Sequence, residues 1–94
     1  MKFHKINGDY YNLSDVVRIR GPFARGGIGV YYFDTSCGHA LEIVATKEYD
    51  MPLYNTTDDI FEDEYQIACD YVIKTIKREA EEWFEKNIQP LINK

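Results

Sequence analysis

Three groups of side chains have the types and spacing from which a site could be built: a thiol close to an imidazole, a run of carboxylates, and arginines interleaved with aromatic rings. Cys37 and His39 are two positions apart, and a thiolate activated by imidazole is a nucleophile. Residues at i and i+2 across a turn glycine, here Gly38, seldom hold hydrogen-bond geometry, and no third orienting group follows in the sequence. His4 and Cys69 complete a set that zinc accepts by type, yet no C-x-x-C spacing demands a metal. Gly26-Gly27-Ile28-Gly29 has the glycine density of a phosphate loop, but a strand follows it and no Lys-Ser/Thr does, so anion capture at a helix start is missing. A hairpin that needs positive φ explains these glycines. The expectation is a chain without cofactor or metal, and not an enzyme.

The carboxylates are more informative. Between Glu48 and Glu64 stand seven acids and no base. The spacing lacks the alternating Asp pattern and closing Glu of a calcium loop. Carboxylates held on a loop and a helix start instead present fixed negative points that mimic phosphate spacing, and so suit a basic, nucleic-acid-binding surface of a partner protein. On this reading Glu48, Asp50, Asp58, Asp59, Glu62, Asp63 and Glu64 meet the partner, the last five steering association, with Tyr54 or Phe61 as an apolar anchor. The plainer reading of the same residues is a solvated helix start favoured by the helix dipole. Trp83 and Phe84 are expected in the core, the alternative for Trp83 being partial exposure as an anchor for a partner.

Arg18, Arg20 and Arg25, with Tyr31 or Tyr32 on the next strand, make the alternative site. A basic and aromatic sheet face stacks bases and holds phosphates, as single-stranded nucleic-acid modules do. The net charge of −5 opposes it, so direct nucleic-acid binding is the lesser expectation.

These residues need a scaffold, and the pattern of the chain supplies one. Phe3 to Ile6 reads as a strand, Asn7-Gly8-Asp9 as a tight turn, and Tyr10-Tyr11 as the return. Asn12 to Asp15 is a polar turn anchored by Leu13. Val17 and Ile19 alternate with Arg18 and Arg20 in a half-buried strand. The proline and glycines of Gly21 to Gly27 predict an exposed loop. Ile28 to Phe33 and His39 to Thr46 form a second hairpin, with Leu41, Ile43 and Ala45 inward and Glu42 and Thr46 outward. Residues 47–57 read as an irregular connector whose Asn55-Thr56-Thr57 suits a helix cap. From about Asp58 the period becomes 3.6: Ile60/Phe61, Tyr65, Ala68/Cys69, Val72/Ile73, Ile76, Ala80, Trp83/Phe84 and Ile88 form one apolar stripe ending at Pro90. Asp70 with Lys74 and Glu82 with Lys86 are spaced as i,i+4 ion pairs. The fold class is α+β, an antiparallel meander of four to five strands packed on one long C-terminal helix, with 1–46 as sheet, 47–57 as connector and 58–89 as helix of a single domain, 1–94. A homodimer through the open sheet face or an edge is also expected.

Bulk properties agree with this outline. Ninety-four residues, 45% hydrophobic and 15% aromatic, suffice for one core and exclude a disordered polymer. Residues 1–25 carry five bases against two acids, and the rest six against fourteen. The first twenty residues lack an unbroken apolar stretch and no later run could span a bilayer, so neither export nor a membrane partner is expected. Two cysteines without paired spacing suit reduced thiols in a cytoplasm.

Lys5-Ile6-Asn7-Gly8-Asp9-Tyr10-Tyr11-Asn12-Leu13-Ser14-Asp15-Val16-Val17-Arg18-Ile19, followed by Val30-Tyr31-Tyr32-Phe33-Asp34, resembles the opening of small uncharacterised phage and bacterial proteins built as a β-meander with a helix. In size, acidity and lack of catalytic motifs the chain is also similar to phage-encoded inhibitors of host defence, including anti-CRISPR proteins. That likeness is one of composition and assigns no residue a role. It implies a stoichiometric inhibitor acting in a host cytoplasm.

Overall fold

In the computed structural model, residues 3–52 and 62–92 are described, the side chains of residues 62 and 63 excepted. The fold is α+β, with five antiparallel strands in two sheets and one long helix after them. Strands β1 (Phe3–Ile6) and β2 (Asp9–Asn12) form a two-stranded hairpin. Its turn places Asn7 at φ 52° and Gly8 at φ 88°, the two positive angles that match the twist of the strands they join. Asn12 then caps a 3-10 turn (Leu13–Asp15), its side-chain Oδ1 accepting the Ser14 N–H at 3.2 Å and the Ser14 hydroxyl at 2.6 Å.

The second sheet has the order β3 (Val16–Arg25), β4 (Ile28–Thr35), β5 (Ala40–Val44). The hairpin of β1 and β2 stands apart from it as a sheet of its own, so the expected single meander is divided. The expected loop from Gly21 is instead strand. β3 runs on to Arg25 and absorbs Gly21-Pro22, whose peptide is cis, as a bulge: two residues face the single Tyr31 between the pairs Arg20/Tyr32 and Phe23/Val30. Only Gly26 and Gly27 turn the chain. A second irregularity between Val16 and Arg18 leaves Val17 unopposed and 67% exposed. Val16 and Ile19, not Val17, pack against the core.

One face of β3–β4–β5 carries Ile19, Tyr31, Phe33, Leu41 and Ile43, which meet Ala80, Trp83, Phe84 and Ile88 of helix α1 (Glu62–Asn87) and its end, together with Ile6 from the small hairpin. Tyr31 stacks on Phe84 at 4.7 Å and on Trp83 at 6.5 Å between ring centroids. Phe33, Ile43, Ile76 and Ile88 are fully enclosed. Helix and sheet approach closely because position 29 is glycine: a Cβ there would lie 3.0 Å from Ile76 Cγ2 and 3.1 Å from the Ala80 Cβ. Close approach, not positive φ, accounts for this residue.

Two expectations for the helix change. Ala68, placed in the apolar stripe, is exposed. Pro90 does not end the helix: α1 stops at Asn87, and Pro90 sits in the first turn of a short α2 (Gln89–Ile92), where its missing N–H leaves no bond unmade. Strand β5 is an edge, and the amide of Asn7 donates to the Val44 carbonyl at 2.6 Å from the turn of the small hairpin.

Candidate functional site

The outward face of the second sheet holds the three predicted arginines. Registry puts Arg18 opposite Asp34 and Arg20 opposite Tyr32, with Glu42 beside Tyr32 on β5. Asp34 accepts Arg20 Nε at 2.9 Å, Arg20 Nη2 at 3.0 Å and Arg18 Nε at 2.8 Å. Arg25 donates to Glu42, and the Tyr32 hydroxyl reaches the same carboxylate at 3.4 Å. The Arg20 guanidinium also lies over the Tyr32 ring, 5.3 Å from its centroid. Hydrogen bonds from Arg20 and then Arg18 hold the Asp34 carboxyl below its usual range, and the same bond raises the Arg20 pKa. The face is an internally paired charge lattice of three bases and two acids, with Phe23 tilted against Tyr32 at 5.7 Å. Tyr31 is not part of it. It is 4% exposed, on the opposite face under Trp83 and Phe84, and burial, with Glu81 and Glu85 nearby, pushes its phenol up to about 12.

Of the residues expected in the acidic site, Tyr54, Asp58, Asp59 and Phe61 lie outside the described residues, and Glu62 and Asp63 contribute the backbone of the first turn of α1. Glu48, Asp50 and Glu64 are exposed. Among the described residues the ion pairs are those of Arg18 and Arg20 with Asp34 and of Arg25 with Glu42, so none engages these three carboxylates. The sequence spacing of Asp70 with Lys74 gives no ion pair either, because Asp70 accepts the Gln66 amide at 3.1 Å.

The structure joins part of this acidic stretch to a second one that sequence reasoning missed. Tyr49, between Glu48 and Asp50, donates its hydroxyl to Glu79 on α1, and that bond raises the Tyr49 pKa. The Tyr49 N–H donates to the Gly27 carbonyl at 2.7 Å. Gly27 must be glycine here, since a Cβ would fall 1.9 Å from the Tyr49 carbonyl oxygen. Lys47 Nζ covers the ring at 5.0 Å. From Glu79 over the next two turns of the helix, Glu79, Glu82, Trp83, Glu85 and Lys86 line an open cleft of about 580 Å³. Tyr49 thus ties the segment that carries Glu48 and Asp50 to Glu79, while Glu64 stands apart, about 22 Å further up the helix at 1.5 Å per residue. Nothing in the spacing of Tyr49 and Glu79, thirty residues apart, announces this meeting.

Cys37 is exposed and its sulfur lies 3.3 Å from the Thr35 hydroxyl. That hydroxyl also bonds the backbone N–H and C=O of His39 at 3.1 Å each, so Thr35 organises the turn that holds both residues. Cys69 is buried in α1. Among the described residues no group of His, Cys, Asp and Glu is gathered as a metal would require, and no helix is long and apolar enough to cross a membrane. No family model, no curated protein and no solved structure matches the chain.

Proposed function

We propose that the chain is a non-enzymatic binding protein that takes a basic surface of a partner protein against the carboxylates around Tyr49 and Trp83. The supporting observation is the Tyr49 to Glu79 hydrogen bond, which fastens the Glu48–Asp50 segment beside the acidic turns of α1. Carboxylates beside a half-buried indole suit arginine or lysine, which gains ion pairing and a cation–π contact together. The arginines of the sheet are a weaker surface for a polyanion, since Asp34 and Glu42 already pair with them and leave one positive charge in three. On this reading the protein acts stoichiometrically, as a phage-encoded inhibitor of a nucleic-acid-binding host protein would.

Trp83 is the single tryptophan of the chain and reports directly on the cleft. An arginine-rich peptide added at low ionic strength should quench or shift its emission, with an affinity that falls steeply with salt. The paired replacements Glu48→Lys and Glu82→Lys should remove the response. An emission unaffected by the peptide, or a response identical in the charge-reversed protein, would overturn the proposal.

A further inference from the structure

The exposed face of α1 opposite the core has a pattern that the helix does not need for its own packing. Ile67 and Tyr71 are 69% and 73% exposed, one turn apart, and with Asp70 and Lys74 they line an open groove of about 300 Å³. Glu64 precedes them on the same face. The positions 64, 67, 71 and 74 step by three, four and three, the spacing of a seam along which two helices pack knobs into holes. Along that seam the order is acid, apolar, apolar, base. No ion pair among the described residues involves Glu64 or Lys74, so both charges are open to an outside partner.

We infer that this face pairs with a second copy of the chain, the two α1 helices running antiparallel about a two-fold axis level with Cys69. In that register Ile67 of each copy meets Tyr71 of the other, and Glu64 of each meets Lys74 of the other. One apolar quartet is then closed at both ends by an ion pair, and each contact is made twice, as an isologous interface requires. Parallel pairing is excluded by the same charges, because it sets Glu64 on Glu64 and Lys74 on Lys74. The seam lies on α1 ahead of the Ile76 to Ile88 stretch that packs on the sheet. Pairing therefore leaves the core and the Trp83 cleft unchanged, and a dimer would present two such clefts.

Sedimentation equilibrium of the intact protein across a wide concentration range tests this, with circular dichroism confirming that each variant stays folded. The parent should dimerise. Tyr71→Asp should remove the dimer, and Glu64→Lys or Lys74→Glu alone should weaken it at least tenfold. The double exchange of Glu64→Lys with Lys74→Glu should restore it. A parent that remains a monomer, a dimer indifferent to Tyr71→Asp, or a double exchange that fails to restore association each overturns the inference. The Trp83 response to a basic peptide should persist in the folded Tyr71→Asp monomer, which separates failure here from failure of the proposed function.

Discussion

Arg20 and Asp34 meet fork to fork, with Nε and Nη2 each donating to a different carboxylate oxygen at 2.9 and 3.0 Å. The planar guanidinium suits this two-point grip as an ammonium would not. Because Asp34 also takes Arg18 at 2.8 Å, one acid from β4 is shared by two bases of β3 and leaves one positive charge uncompensated.

Removing the acids should therefore create what the bare sequence suggests. The double variant Asp34→Asn with Glu42→Gln frees Arg18, Arg20 and Arg25 beside Tyr32 and Phe23. Retention of a fluorescent single-stranded DNA at low salt should appear in the variant and be absent from the parent. A parent that already retains the strand would show that the lattice does not mask the arginines.

Asp34 also sets an acid limb. Its folded pKa lies below the unfolded one, so its contribution is present above the ordinary carboxylate range and disappears as pH falls through the depressed value. Asp34→Asn should flatten that part of a stability-against-pH curve, measured by urea unfolding, and leave its neutral-to-alkaline part parallel to the parent's.

At the alkaline end the sign reverses for Tyr31. Its phenol is raised from 10.0 to about 12, so the neutral form is the one the fold favours. That contribution is complete below pH 10 and is lost as pH rises toward 12. In an absorbance titration one tyrosine should ionise last, near the pH of unfolding, and Tyr31→Phe should remove that step.

Two packing sites give magnitudes. Ile76 is fully enclosed at the closest approach of α1 to Gly29, so Ile76→Ala should cost about 2–5 kcal/mol. Gly27→Ala puts a methyl group on the Tyr49 carbonyl and should cost about 1–3 kcal/mol by crowding, with a weakened Trp83 response to basic peptide because the Glu48–Asp50 segment must move. Chemical denaturation gives both values. A Gly27→Ala protein as stable and as responsive as the parent would show that the segment is not held there.

Sequence was most readable where the physics is local. The Asn7-Gly8 turn, the polar turn from Asn12 to Asp15 and the alternation of Leu41, Glu42 and Ile43 are set by neighbours, and all appear in the structure. Gly21-Pro22 misled because a breaker pair can be held as a bulge when the partner strand supplies registry. Whether Tyr31 or Tyr32 faced inward depended on the same registry. The pairing acids Asp34 and Glu42 lie across strands from their arginines, and the Tyr49 to Glu79 bond spans thirty residues; no periodicity encodes such meetings. Ile67 and Tyr71 escaped notice because a stripe search collects apolar residues facing the core and passes over those turned away from it.

The Asn7 amide on the Val44 carbonyl reaches beyond the small hairpin that supplies it. An outer strand with idle peptide groups invites another chain to lengthen the sheet, and repeated lengthening is how fibrils begin. By occupying one of those acceptors with a side chain from elsewhere, the molecule obstructs that route, which favours closed association between copies over open-ended growth.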